Sequence, residues 1–196
     1  LADNASLEPA IGVIMDGTGY GLDDHIWGGE FLVGDAAGFE RVAHLSYLPL
    51  PGGDQAVRKP YRIAAAYVLE LLETEDMVER VLAQQLALPE TERDVLETMV
   101  RRGVNTPYTS SAGRLFDAVS ALLGICRETS HEAQAAIALE MASRRASMAD
   151  GAYSWETETE GRPQRWGNPP LRIEQSWRIC LEGLFEGMTR DLLHGR

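Results

Sequence analysis

The feature that most constrains this chain is a glycine-rich segment near its beginning. Residues 16–21 read DGTGYG, between an apolar run at 10–15 and a second apolar block at 26–33. Three glycines at alternating positions permit a tight turn with converging backbone amides, and the leading aspartate offers a carboxylate to a metal ion or hydroxyl group. The pattern predicts a turn that binds a phosphate or nucleotide. An ordinary hairpin turn explains the same residues, because Gly and Asp are common in turns.

Three familiar ligand-binding loops do not fit this segment. A dinucleotide fingerprint needs its third glycine one residue further along and a helix directly afterwards, whereas a strand is predicted at 25–33. A Walker loop ends in Gly-Lys followed by Ser or Thr, and no such ending is present. A calcium loop starting at Asp16 has Gly21 at its correct sixth position, but Trp27 stands where the closing glutamate belongs. The phosphate-binding and hairpin interpretations both stay open.

Composition indicates one globular domain with its own core. The 196-residue chain is 44% hydrophobic and 24% charged, with a formal net charge of -12. Nucleic-acid binding is not expected, because phosphate backbones are bound by basic surfaces. No membrane segment is expected either, since no apolar run reaches the roughly 18 to 20 residues of a spanning helix, and no export signal is visible. Two cysteines, Cys126 and Cys180, are too few for a disulfide framework, which favours a cytoplasmic protein.

The chain divides into a β-rich beginning and a mostly helical remainder, which predicts an α+β or α/β fold. Strands predicted at 10–15, 25–33 and 39–48 have short connections and should form a three-strand antiparallel meander. Helices are predicted at about 60–73, 76–86 and 90–102. The predicted organisation is a single incomplete domain with a β meander at 1–50, a helical region at 60–147, a loop or hairpin at 148–170 and a helical tail at 171–196.

A second informative stretch, 105–119, contains the start of another helix. Ser110 or Ser111 can cap it, and Gly124 can end it. Its apolar residues share one face by the 3.6-residue period, namely Leu115, Phe116, Val119, Leu122 and Leu123. Gly113 and Asp117 lie on the opposite face, where a missing side chain lets a ligand approach and the carboxylate accepts hydrogen bonds from ribose-like hydroxyls. A surface helix with a solvated aspartate explains the same spacing.

Residues 129–132 fit a capping box that opens an alanine-rich helix ending near Arg145. Glu132 could face the same ligand as Asp117, although capping alone accounts for this glutamate. The four histidines, His25, His44, His131 and His194, lack the paired spacing of metal ligands. The residues themselves therefore predict no complete metal site.

Several motifs resemble the HypF family, the carbamoyltransferases of nickel–iron hydrogenase maturation. The resemblance runs from about Ala10 to Leu139 in the same order and spacing. The motifs are DGTGYG at 16–21, WGGEF at 27–31, GFER at 38–41, PLPGGD at 49–54 and TSSAGRLFDAV at 109–119. It implies part of an actin/sugar-kinase/Hsp70-like lobe, within a carbamoyl-transfer domain related to the tRNA threonylcarbamoyl transferases.

The resemblance also implies an activity. Members of the family form carbamoyl adenylate from carbamoyl phosphate and ATP, and then transfer the carbamoyl group to a C-terminal cysteine of HypE, as precursor of the hydrogenase cyanide ligands. By this likeness Asp16 is expected to bind a divalent metal, Zn, Fe or Mg. The residues expected at the nucleotide are Gly17, Thr18, Gly19, Gly113, Asp117 and Glu132.

The chain departs from the family pattern in three places. The family's metal-binding histidine pair is expected before Leu1, and a further glycine-rich segment with an aspartate ligand after Arg196, so we expect a fragment that is inactive alone. The family more often has glycine at the position of Ala133. An incomplete lobe leaves a sheet edge unpaired, which predicts a homo-oligomer through the exposed strand or burial of that edge by a neighbour.

A function of a different class is also compatible with the sequence. The segments 60–102 and 171–194 could form an acidic helical docking module that binds a partner protein. In that case no ligand would contact the segment 16–21.

Overall fold

Helices pack beside one mixed sheet, which gives the chain an α+β fold. The computed structural model describes residues 8–145, 152–169 and 171–195. Within these ranges the strands are β1 (Ala10–Tyr20), β2 (Ile26–Asp35), β3 (Gly38–Leu45), β4 (Leu48–Pro49), β5 (Tyr108–Thr109), β6 (Glu156–Thr159), β7 (Gln164–Gly167) and β8 (Trp177–Cys180). The helices are α1 (Asp54–Arg58), α2 (Pro60–Leu71), α3 (Glu75–Arg80), α4 (Glu90–Arg102), α5 (Ala112–Leu122), α6 (Gln134–Ser143) and α7 (Glu182–Leu193), and a π-helical turn, Val81–Gln85, follows α3.

The described strands of the sheet come from three parts of the chain, namely residues 10–49, 108–109 and 156–180. The long strand β2 pairs antiparallel with both β1 and β3, as their short connections predict. Beyond this group, β5 pairs parallel to β2, and β8 pairs parallel to β3. The expectation of three strands is therefore incomplete, because strands of two to four residues are too short to show a period in the sequence.

The glycine-rich segment is not the turn between β1 and β2, so the predicted position of the turn is wrong. Strand β1 continues to Tyr20, and the chain reverses at 21–25, where the amide of Gly21 donates to the carbonyl oxygen of His25 at 3.0 Å. The β1–β2 register shifts between Met15 and Gly19, so residues 16–18 form a bulge in the strand. Bulges and turns use the same residues, and their sequences therefore look alike.

Three helix ends with local signals, on α2, α4 and α5, occur where the sequence predicts them. Helix α4 spans Glu90–Arg102 as predicted, and Gly103 follows in the left-handed conformation with φ 63°. Ser111 is the N-cap of α5, where its hydroxyl accepts a hydrogen bond from the amide of Arg114 at 3.2 Å. Helix α2 begins at Pro60, which suits the first turn because proline has no amide hydrogen to leave unpaired.

The predicted capping box at 129–132 is wrong. Helix α6 begins at Gln134, and its N-cap, Ala133, is left-handed with φ 58° and makes no side-chain capping bond. The side-chain oxygen of Gln134 instead accepts from the amide of Ser130 at 2.7 Å. Glu132 is exposed, so capping does not account for it.

The last third of the chain differs from the predicted hairpin and helical tail. Among the described strands β6 pairs with β8 and β7 pairs with β3, so β6 and β7 do not form a hairpin with each other. The segment 171–196 is not helical throughout, because β8 at 177–180 precedes α7. The predicted boundary between 147 and 148 lies outside the described residues.

Helix α2 is the centre of the hydrophobic core, and it packs against α4, α5 and α7. Helix α5 faces it with small residues and one leucine, Ala118, Ala121 and Leu122. Burial on α5 follows the predicted apolar face only in part. Leu122 is buried, and Leu115 and Val119 pack against the core. Phe116, however, is 47% exposed while Asp117 is buried. The close approach of two alanine-lined helices decides this orientation.

Candidate functional site

The β1 bulge is fastened to the start of α5. The hydroxyl of Ser111 lies 2.7 Å from the carbonyl oxygen of Asp16 and 2.9 Å from that of Gly17, and it donates to this pair. A side chain on Gly113 would begin 2.7 Å from the Cα of Gly17, which is closer than a real Cβ ever approaches backbone. Glycine at 113 is therefore required by the contact between the bulge and the helix.

A cavity of about 620 Å³ opens beside this contact. The bulge contributes Asp16, Gly17 and Thr18 to its wall, α5 contributes Asp117, and Glu132 lies on the segment that precedes α6. Small-molecule sites commonly measure about 300 to 1,000 Å³, so the space suits a nucleotide-sized ligand. The structure thus brings five of the residues predicted from the sequence to one cavity.

The two remaining predicted residues lie elsewhere. Gly113 stands behind the cavity wall, where it permits the close packing of the bulge. Gly19 pairs with Trp27 in the β1–β2 ladder, and a side chain on it would begin 2.9 Å from the Trp27 carbonyl oxygen. The described lining residues do not include Gly19, so its geometry is explained by strand pairing.

Asp117 is buried rather than solvated, which excludes the interpretation of α5 as an ordinary surface helix. The residue is 3% exposed, and its Oδ2 lies 2.8 Å from Nη2 of Arg114. Burial raises the pKa of Asp117 to about 6, against the lowering effect of the neighbouring guanidinium. A carboxylate with this pKa still carries negative charge at neutral pH and can accept hydrogen bonds.

Arg114 also lines the cavity, although it is not among the predicted site residues. It is 7% exposed, although arginine is rarely buried unless it is paired. The available signal was its position three residues before Asp117, because residues at this spacing face each other on a helix.

Asp16 is exposed, and its carboxylate accepts a hydrogen bond from the amide of Gly17 at 2.6 Å. The amide of Gly17 is therefore already occupied by this side chain. Among the described residues no group of three His, Cys, Asp or Glu side chains could hold a metal ion. These residues do not fit a complete metal centre, and the metal-binding role of Asp16 stays a prediction.

A buried network of charges contacts the start of α5, and its residues are not among the predicted site residues. Arg41 is 3% exposed, and its Nη2 lies 3.1 Å from Oε1 of Glu30, which is 1% exposed. The hydroxyl of Ser110, directly before the α5 N-cap, also donates to Glu30. The network therefore links two of the sequence motifs, WGGEF and GFER, to the helix that carries Asp117.

The outer part of this network holds Asp23 ionised. Burial opposes its charge, but hydrogen bonds from Tyr47, Gln164 and Trp27, together with the Arg41 guanidinium, lower the pKa of Asp23 to about 2. The guanidinium also lies 4.2 Å from the centre of the Trp27 ring. These contacts give Arg41 partners on several sides, which is what a buried charge requires.

A second, larger cavity of about 730 Å³ lies between α2, α3 and α4. Seven acidic side chains and two arginines line it. Such a wall repels phosphate, so the cavity beside the β1 bulge is the better candidate for a nucleotide. None of the described helices is long and apolar enough to span a membrane.

Fold and cavity together define a nucleotide-sized site on an α+β scaffold with a mixed sheet. A family described as "Carbamoyltransferase, Kae1-like Domain, second subdomain" matches residues 12–195. The chain belongs to the HypF carbamoyltransferase family, which confirms the resemblance seen in the sequence motifs.

Individual relatives and structures agree with this assignment. Carbamoyltransferase HypF2 of Cupriavidus necator is 41% identical over 207 residues, covering 98% of this chain and 23% of the relative. Carbamoyltransferase HypF of Rhodobacter capsulatus is 45% identical over 129 residues, covering 65% of this chain and 16% of the relative. The chain therefore spans less than a quarter of the length of these two relatives.

A crystal structure of full-length HypF in the phosphate- and nucleotide-bound form superimposes with a TM-score of 0.81 at 33% sequence identity, covering 100% of this chain and 27% of that one. HypF of T. kodakarensis superimposes with a TM-score of 0.70 at 30% identity, covering 93% of this chain and 22% of that one. The fold is therefore shared with HypF.

Proposed function

We propose that this chain is the nucleotide-holding segment of an ATP-dependent carbamoyltransferase that acts in hydrogenase maturation. The observation that carries the proposal is the cavity of about 620 Å³, since two of the resembling motifs, at 16–18 and 114–117, meet in its wall. The HypF structure in the phosphate- and nucleotide-bound form supports a nucleotide as the ligand.

The chemistry of the wall suits a nucleoside with attached phosphate. Asp117 would accept hydrogen bonds from ribose hydroxyls, and Gly17 and Thr18 would approach the phosphate closely. Joining a carbamoyl group to AMP gives a good leaving group, which the cysteine thiolate of HypE would displace. We propose carbamoyl phosphate and HypE as the further substrates on this basis.

The wider architecture would be a partial lobe of the actin/sugar-kinase/Hsp70 type. Strand β1 pairs only with β2 among the described strands, and Ile11, Val13 and Met15 on it are more than half exposed. An exposed apolar edge of this kind is expected to be covered, either by a second copy or by another part of a longer polypeptide.

A chimaera tests the proposed function. The matching segment of Cupriavidus necator HypF2 is replaced by this chain, and ATP-dependent transfer of labelled carbamoyl groups to HypE is measured. We expect transfer, and we expect Asp117→Ala in the chimaera to abolish it. The control Asp76→Ala removes a carboxylate that is 84% exposed on α3 and should leave transfer unchanged. A folded chimaera that retains transfer with Asp117→Ala would contradict the proposed site.

The acidic cavity between α2, α3 and α4 supports a second candidate function, an acidic docking module for a partner protein. Reversing two charges in its wall, Glu79→Lys with Glu97→Lys, should then abolish binding of HypE, while Asp117→Ala leaves binding intact. Unchanged binding of HypE by the charge-reversed variant would eliminate this candidate.

A further inference from the structure

Arg114 and Asp117 form a buried ion pair that leaves polar atoms of both partners unsatisfied. Their side chains are 8% and 4% exposed, and Nη2 of Arg114 lies 2.8 Å from Oδ2 of Asp117. Oδ2 of Asp117 has no hydrogen-bond partner among the described residues, so its contact with Nη2 is an ion pair without hydrogen-bond alignment. Nε of Arg114 has no partner among them either. A buried pair with unsatisfied atoms is less stable than a fully hydrogen-bonded one.

The pair lies in the wall of the candidate site and not behind it. Both residues line the cavity of about 620 Å³. A Cβ placed on Gly17 would lie 3.7 Å from Nη2 of Arg114, so the guanidinium reaches the bulge of β1. The amide of Gly17 donates to Asp16 and is therefore not free to bind an anion.

The other titratable side chains of the cavity wall come from α1, from β1 and from the segment before α6. Arg58 lies at the end of α1, Asp16 lies on β1, and His131 and Glu132 precede α6. Arg114 differs from Arg58 because it is fixed by its burial against the bulge. A planar guanidinium can bind two phosphate oxygens at once, which a single amide cannot do.

We propose that Arg114 binds a phosphate group of the ligand, and that Asp117 is the competing anion which holds the guanidinium in place until the phosphate arrives. This inference rests on the nucleotide site of the proposed function. In the bound state the phosphate oxygens take the place of the Asp117 carboxylate at Nη2. Asp117 is thereby released from the ion pair and can accept hydrogen bonds from the sugar.

Competition between phosphate and Asp117 predicts opposite effects for two substitutions. Removing the guanidinium with Arg114→Gln should weaken phosphate binding, whereas removing the competing charge with Asp117→Asn should strengthen it. Inorganic pyrophosphate is the probe of choice, since it has no ribose and reports on the anion contact alone. A residue with a purely structural role would not produce two changes of opposite sign.

Calorimetry on the whole chain measures the binding of pyrophosphate, AMP and adenosine. We expect Arg114→Gln to weaken pyrophosphate and AMP by about 10- to 100-fold, the range of a hydrogen bond to a charged group. Adenosine should bind as it does to the unsubstituted chain. Asp117→Asn should bind pyrophosphate several-fold more tightly. The matched control is Arg144→Gln, which removes an exposed guanidinium paired with Glu140 outside the cavity wall.

Each outcome decides between the inference and the proposed function. Equal affinity of pyrophosphate for Arg114→Gln and the unsubstituted chain would overturn the inference, while AMP binding by both would leave the proposed function in place. An unsubstituted chain that binds none of the three probes would overturn both. If Arg114→Gln does not fold by circular dichroism, Asp117→Asn decides alone, and a lack of tightening overturns the inference.

Discussion

The hydroxyl of Ser111 donates to the backbone of Asp16 across 2.7 Å, and through this bond the cap of α5 also secures the bulge of β1. The same oxygen accepts from the amide of Arg114. One side chain therefore sets both the start of the helix and the position of the bulge. The shape of the candidate site depends on this connection.

Replacing Ser111 should show that connection directly. Ser111→Ala removes the N-cap bond and the bond to the bulge, so we expect the free energy of unfolding to fall by about 1 to 2 kcal/mol, as for lost caps elsewhere. Denaturant unfolding measures the loss. Ser143→Ala, at the exposed end of α6, is the control and should change stability by less than about 0.5 kcal/mol. Similar losses in both variants would contradict the role given to Ser111.

Gly113→Ala should disrupt the contact between the bulge and α5. The added Cβ would lie 2.7 Å from the Cα of Gly17, and because both sides are backbone, one of them must move. We expect a loss of about 1 to 3 kcal/mol, typical of overpacking, together with weaker nucleotide binding. Gly17→Ala is the matched comparison for stability, because its Cβ makes only an ordinary contact at 3.7 Å. Equal stability of the two variants would argue against a tight contact.

Ala133→Gly should stabilise the chain. Ala133 has φ 58°, a left-handed conformation that costs a side-chain-bearing residue about 1 to 2 kcal/mol and glycine almost nothing. Since glycine also loses more entropy on folding, we expect a net gain of about 0.5 to 1 kcal/mol. Thermal unfolding measures it. Ala138→Gly, inside α6, should lower stability by about 1 kcal/mol. A loss at both positions would contradict the strain inferred at Ala133.

The pH dependence of stability should reveal the burial of Asp117. Its pKa is raised from 3.8 to about 6 in the folded chain, so folding favours the protonated carboxyl. The contribution of the protonated Asp117 carboxyl to the free energy of unfolding is fully present below pH 4 and is lost as the pH rises through 6. The difference between a pKa of 3.8 and one of about 6 corresponds to roughly 3 kcal/mol in the free energy of unfolding. Subtracting the unfolding free energies of Asp117→Asn at each pH isolates this group, and a pH-independent difference would show that Asp117 titrates normally.

Local signals account for the parts of the structure that were predicted well. Gly103 ends α4 and Ser111 begins α5, because a left-handed glycine and a capping hydroxyl act within a few residues of the chain. The first strands pair as their short connections predict. The short strands β5 and β8 were not predicted, because each forms by pairing with a strand that is distant in the sequence, β2 and β3 respectively.

The candidate site was predicted only in part, because some of its residues have local sequence signals and others depend on long-range packing. The motifs identified Asp16 and Asp117, and the structure places both at one cavity. The spacing of Arg114 and Asp117 predicts that the two residues face each other on a helix. It does not predict that Arg114 is buried against the bulge, which is what makes it part of the site. The turn lies later in the chain than its composition predicts, because Gly-rich bulges and turns use the same residues.

By itself the sequence determined the family, the β-rich beginning, the helix limits at Gly103 and Ser111, and the residue types available to a ligand. These properties depend on the order of neighbouring residues along the backbone. Only the tertiary structure decided that residues 16–18 form a bulge, that Arg114 pairs with Asp117 in a shared cavity wall, and that Phe116 points outward. Those outcomes depend on how α5 packs against α2 and β1, and packing is set by contacts between residues that are distant in the chain.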